Sequence, residues 1–233
     1  MDKEHTWDKL LQIQTAGRDD SGADQHHHPY EPTPYCVLER LTDSGLICKE
    51  DTILDYGCGC RLVPYLTEHG CTAVLLPYTA SAKEILDSAP DGVILSDGAG
   101  DPRENEAQIG VIRALFGKLP LMGVGLGHNM LALAAGNRVK KMHVGHHGSS
   151  YPVRDLAGSR TYLTAQNHAY EVDAASLTAG VLRYKNANDG GCEGIDYPDS
   201  RAFSVQFNPV LAAASRDTDA VMDRFIRMMG GER

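Results

Sequence analysis

The sequence predicts an α/β fold: a mostly parallel central sheet flanked by helices, preceded by an N-terminal extension. Three observations lead there. From residue 51 onward, short apolar runs alternate with amphipathic segments of helical spacing. Two of those runs end in glycine-rich loops, where α/β sheets place their chemistry. The residues before 51 share neither feature and are polar, turn-rich and broken by proline.

Taken in order, Trp7 to Gln14 fits a short helix, and RDDSGADQHHHPYEPTP, interrupted by Pro29, Pro32 and Pro34, reads as a loop or an ordered arm. Val37, Leu38 and Leu41 then fall at helical spacing and Gly45 suits a C-cap, giving a helix of about three turns. The chain thus divides into an arm and helix over residues 1–50 and an α/β domain over 51–233. In the domain, TILDYG, TAVLLPY, DGVILSDG and PLMGVG are strands, and RLVPYLTEHG, SAKEILDSA, Glu104 to Leu115 and His128 to Ala135 are helices. Short strands joined through helices pair in parallel by right-handed crossovers. Beyond Lys140 the rhythm changes to strands and turns (KKMHVGHHGS, RTYLTAQN, VLRYKN, GCEGIDYP, RAFSVQFN), followed by the helix DTDAVMDRFIRMMGG.

With 31 acidic residues against 22 basic ones the net charge is −9, and no basic run is longer than Lys140-Lys141. That balance argues against a nucleic-acid partner or an anionic membrane surface. MDKEHTWDKL lacks the apolar stretch of a signal peptide, and no run approaches the roughly 20 apolar residues that span a bilayer, so a cytoplasmic location is expected. Cys36, Cys48, Cys58, Cys60, Cys71 and Cys192 are scattered through apolar or glycine-rich contexts and are expected as free thiols.

The glycine-rich loops are SDGAGDP and GVGLGHN. Gly123-Val124-Gly125-Leu126-Gly127 has the G-x-X-x-G form of a nucleophile elbow, in which small neighbours permit a strained strand-to-helix turn and the central residue attacks the substrate. Here the central residue is glycine. LSDGAGDP, GVGLGHNMLALAAG, KMHVGHHGSSYPV, TAQNHAYEVD and AFSVQFNP occur in series at the spacing of a known family. Over about residues 52–230 the chain resembles the class I glutamine amidotransferase domain of carbamoyl phosphate synthetase small subunits, a flavodoxin-like fold.

The resemblance implies a family that hydrolyses glutamine through a cysteine, histidine and glutamate triad and passes ammonia to a partner synthetase. The positions that match the triad are Gly125, Asn208 and Val210, so the thiolate, the general base and its orienting carboxylate are all missing. Asn129 stands where the family has glutamine, and Ala99 where it usually has proline. An oxyanion loop persists in outline as Gly98-Ala99-Gly100-Asp101-Pro102. Residues expected to line any remaining site for glutamine or a related small molecule are Gly98, Ala99, Gly100, Gly127, His128, Asn129, Gln166, Asn167 and His168.

No metal is expected. The spacings of His128, His146, His147 and His168 lack a paired zinc pattern, and adjacent strand residues such as His146 and His147 point to opposite faces. His26, His27 and His28 lie in the proline-rich arm, and Cys58 or Cys60 as a substitute nucleophile lacks a base. A second resemblance covers the first part of the chain: GRDDSGADQHHHPYEPTPYCVLERLTDSGLICKEDTILDYGCG looks like the start of certain bacterial class I S-adenosylmethionine-dependent methyltransferases. Asp55, Gly57 and Gly59 match the opening of their cofactor loop, but Cys60-Arg61 supplies no third glycine and Leu75-Leu76-Pro77-Tyr78 no acid for the ribose. The N-terminal domain of the small subunit has no counterpart here.

The functional expectation is a catalytically inactive amidotransferase-like protein, a pseudoenzyme without a cofactor, that binds a protein partner, another copy of itself or a small ligand. Alternatives are a synthetase subunit that uses free ammonia and a methyltransferase remnant holding S-adenosylmethionine.

Overall fold

The computed structural model describes residues 53–54, 62–210 and 218–230. The arm over 1–50, its proposed boundary at 51, and Asp55, Gly57, Cys58, Gly59 and Cys60 lie outside the described residues.

The first elements are β1 (Ile53–Leu54), α1 (Leu62–Glu68), β2 (Leu75–Leu76), α2 (Ala82–Asp87) and β3 (Val93–Leu95). A 3-10 turn (Pro102–Glu104), α3 (Glu106–Leu115), β4 (Leu121–Val124) and α4 (Leu126–Ala134) follow. The remainder is β5 (Val139–Asp155), β6 (Thr161–Val172), β7 (Val181–Asn186), β8 (Cys192–Tyr197), β9 (Ala202–Val205) and α5 (Asp219–Gly230). This is the α/β class the alternating pattern predicts.

β1 and β2 form a parallel pair, and the other strands form one sheet in the order β3-β4-β9-β8-β7-β5-β6. That sheet is mixed. β3, β4 and β9 run parallel, whereas every pairing from β9 through β8, β7 and β5 to β6 is antiparallel. Connection length accounts for the change: a helix carries the chain between β3 and β4, but β8 reaches β9 through the three-residue turn Pro198–Ser200 and Arg201, too short for a crossover. Beyond Lys140, KKMHVGHHGS and YPVRD join into the single strand β5, which pairs with β6 through two register shifts, after Lys141 and after Gly148.

Local chemistry sets the helix boundaries. Ser81 caps α2 in a capping box, its hydroxyl accepting from Glu84 N–H (3.2 Å) while Glu84 Oε2 accepts from Ser81 N–H (2.7 Å). α3 buries Ile109, Ile112 and Leu115, one face at helical spacing. α4 is buried at nearly every position and carries few charges, as a helix enclosed by the fold must. α5 is anchored on β9: Phe225 meets Phe203 edge-on at 6.5 Å, Arg224 stacks 4.3 Å over the Phe203 ring and pairs with Asp196 at 2.7 Å. Among the described residues, no helix is long and apolar enough to cross a membrane, and Cys71 and Cys192 are free thiols.

Parallel pairing of β3, β4 and β9 brings their carboxyl ends to one edge. Three segments therefore converge there: Ser96 to Gly100 after β3, Gly125 after β4, and Gln206 to Asn208 after β9.

Candidate functional site

Gly125 is the single residue between β4 and α4. Its φ of 56° and ψ of −113° place it in the positive-φ region that a side chain resists. The turn is held from both sides: Gly125 N–H donates to Val205 O at 3.0 Å, and Gly125 O accepts from Asn129 N–H at 3.2 Å. Its glycine neighbours permit close packing, since a Cβ on Gly127 would sit 2.1 Å from Leu95 O and one on Gly123 would sit 2.7 Å from Gly127 O. The elbow geometry is thus intact without a side chain at its apex.

Asp97, two residues beyond β3, points into that apex. Its Oδ1 accepts from Gly98 N–H (2.8 Å) and from Leu126 N–H (2.9 Å). A Cβ built on Gly125 would lie 1.9 Å from Asp97 Oδ1 and 2.3 Å from its Cγ. Burial raises the Asp97 carboxyl above the usual carboxylate range, while the two N–H bonds pull it down. Beyond it, Ala99 and Gly100 are exposed and lead into the 3-10 turn, where Arg103 holds the Asp101 carboxyl down to about 2.

His128 and Asn129 enter the core from the first turn of α4. His128 is fully buried with Nδ1 2.7 Å from Ser204 Oγ, and its Nε2 has no hydrogen-bond partner among the described residues. Burial, with a smaller contribution from His168, pushes it down to about 3, so the ring is neutral. Asn129 Nδ2 donates to Gln206 Oε1 at 3.0 Å, joining α4 to the segment after β9. Asn208 bridges to β6, donating its N–H to Ala165 O at 3.1 Å, and its Oδ1 accepts from Val210 N–H at 3.0 Å. Its amide oxygen closes a local turn, and Val210 supplies only backbone.

Gln166 and His168 belong to a second group, centred on His146. Gln166 Oε1 accepts from His146 Nδ1 at 2.7 Å and lies 3.2 Å from His168 Nε2, while its Nε2 donates to Thr164 Oγ1 at 3.0 Å. His146 Nε2 donates to Asp189 at 2.8 Å, and its Nδ1 is 3.6 Å from Glu193 Oε1. Glu193, 1% exposed, accepts from Asn186 Nδ2 at 2.8 Å. The Glu193 carboxylate, against burial and helped by Asp189, raises His146 to about 9, so this histidine is an imidazolium at neutral pH. As expected for adjacent strand residues, His147 faces the other way, exposed, with Nδ1 2.7 Å from Asn167 Oδ1.

His146, His168 and Glu193 offer metal-type ligand atoms within 4.8 Å of one another. Chain spacing concealed this grouping, because Glu193 arrives from β8. An ion held there would displace a proton from His146 and compete with its bonds to Gln166 and Asp189.

The residues expected at one site therefore fall into separate groups. Gly98, Gly125, Gly127 and Asn129 surround the elbow, whereas Gln166 and His168 join the His146 network and Asn167 faces outward. Asp97, which singling out small residues passed over, is the side chain that fills the apex; its signal was an acid directly before the Gly98 loop.

The class I glutamine amidotransferase family profile matches residues 52–228. The chain belongs to that family. It is 40% identical over 181 residues to the carbamoyl phosphate synthase small chain of Methanopyrus kandleri, covering 77% of this chain and 50% of that one. It is 41% identical over 177 residues to the carbamoyl phosphate synthase small chain of Xanthomonas axonopodis pv. citri, covering 75% and 45% respectively. The chain thus spans about half the length of these relatives. Among solved structures, a glutamine amidotransferase of Thermotoga maritima superposes with a TM-score of 0.62 at 15% identity, covering 78% of this chain and 99% of that one. One from Methylobacillus flagellatus gives 0.57 at 14% identity, covering 70% of each. These two likenesses establish the fold.

Proposed function

We propose that this chain is a pseudoenzyme of the amidotransferase family, which has lost glutamine hydrolysis and works by binding a protein partner. The observation that carries the reading is the elbow: its strained turn is kept, yet Gly125 offers no atom able to attack an amide. Asn208 cannot take up a proton near neutral pH, and Val210 cannot orient a base. In a hydrolase where triad members act as a unit, loss of the nucleophile or base alone costs on the order of a million-fold in kcat. With Asp97 in the apex, a protein partner is favoured over glutamine or a related small molecule as the ligand.

The relatives named as small chains of carbamoyl phosphate synthase favour a second reading, a subunit that joins a synthase supplied with free ammonia. Ammonia release from glutamine, measured on the purified chain against a heat-denatured control, tests the first reading: no release above control is expected, and release lost on substitution at the elbow overturns it. Light scattering of the chain alone and with a synthase large chain separates the partners. Self-association alone favours a homo-oligomer, and a stable heteromeric complex favours the subunit reading.

A further inference from the structure

The elbow is filled from within. In an elbow of this form the apex side chain occupies the space above the turn, and the N–H of the following residue faces the developing oxyanion. Here that N–H, on Leu126, is bonded to Asp97 Oδ1, which also accepts from Gly98 N–H. The same oxygen stands 1.9 Å from the Cβ position of Gly125, well inside any real contact. One carboxylate thus occupies both the volume of an apex side chain and two N–H groups that would meet a substrate oxygen.

We propose that Asp97 is an internal occupant of the elbow, closing it to carboxamide and carboxylate ligands and obliging any side chain at position 125 to displace its carboxylate. The inference rests on the reading that the elbow has no nucleophile, and it deepens that reading by naming the residue that keeps the site shut. Two further contacts fix the arrangement. Gly125 N–H is committed to Val205 O, and Leu126 lies at the start of a helix buried along its length, so the turn has little room to retreat. Steric relief must come from Asp97, at the cost of both its N–H bonds.

A double-mutant cycle on the full chain tests this. Wild type, Asp97→Ala, Gly125→Ala and the double variant are compared by thermal unfolding. The strain of placing a side chain at φ 56° is common to both halves of the cycle and cancels. Expected is a fall in melting temperature from Gly125→Ala that is roughly twice as large with Asp97 present as with alanine there. Additive shifts overturn the proposal. Should Gly125→Ala with Asp97 present fail to fold while the double variant folds, the coupling is shown in its extreme form. Should neither fold, calorimetry of the wild type with glutamine decides: saturable heat overturns the closed elbow, and none to millimolar concentrations supports it. Glutaminase activity in the wild type would defeat the pseudoenzyme reading without touching the cycle, and an additive cycle would defeat the occupant without restoring activity.

Discussion

At the scale of single residues, His146 and Asp97 both make stability fall as pH rises, each in its own window. His146 is raised in the folded chain to about 9, chiefly by the Glu193 carboxylate, so its contribution to stability is complete below the ordinary histidine value of 6.5 and is lost as pH rises through about 9. Melting temperatures of wild type and His146→Gln compared from pH 6 to 10 should converge towards the alkaline end. The Asp189 part of that stabilisation is half-exposed and should weaken with salt, whereas the Glu193 part is buried and should not. Asp97 is raised by burial, so its charged form is less favoured in the fold than in the unfolded chain. Asp97→Asn, which keeps an oxygen for the Gly98 and Leu126 N–H groups, should melt higher than wild type at neutral pH. The gap should close as pH falls through the raised value towards the ordinary 3.8. That Gly125, Asn208 and Val210 carry no thiol, imidazole or carboxylate is legible directly from the sequence, because residue identity needs no coordinates. The occupancy of the apex by Asp97 was not legible, because it depends on a rotamer and two backbone N–H directions.

At the scale of elements, close approach of α4 to β3 and β4 is the feature most exposed to change. Intrinsic helix preference favours alanine over glycine by about 1 kcal/mol, so Gly127→Ala would stabilise an isolated helix. In this fold the added Cβ meets Leu95 O at 2.1 Å, backbone that cannot rotate away. Overpacking of this kind costs about 1–3 kcal/mol or more, so chemical denaturation should show a net loss. α5 offers the complementary case. Phe225 is buried against Phe203, and Phe225→Ala should cost about 3–5 kcal/mol in the same measurement by leaving a cavity between helix and sheet. The helices and the succession of strands along the chain were readable from apolar spacing and turn residues. The strand directions after Lys140 were harder to read, because connection length and register shifts, not composition, decide whether neighbouring strands run together or apart.

At the scale of the whole molecule, family membership and the loss of reaction proposed above rest on different residues. The glycines, the Asn129–Gln206 link and the strand ends carry the first, and Gly125, Asn208 and Val210 the second. A consequence follows from the proximity of Asp97 to Gly125. If the apex once carried a side chain, Asp97 took its present rotamer only after the apex had emptied, and a chain with Asp97 in place regains a residue at position 125 only by giving up the Gly98 and Leu126 N–H bonds. A single change at position 125 thus carries a penalty that a paired change does not, and a library that randomises position 125 alone should be enriched in glycine among its folded members, whereas one that randomises 97 and 125 together should recover more alanine, serine and cysteine.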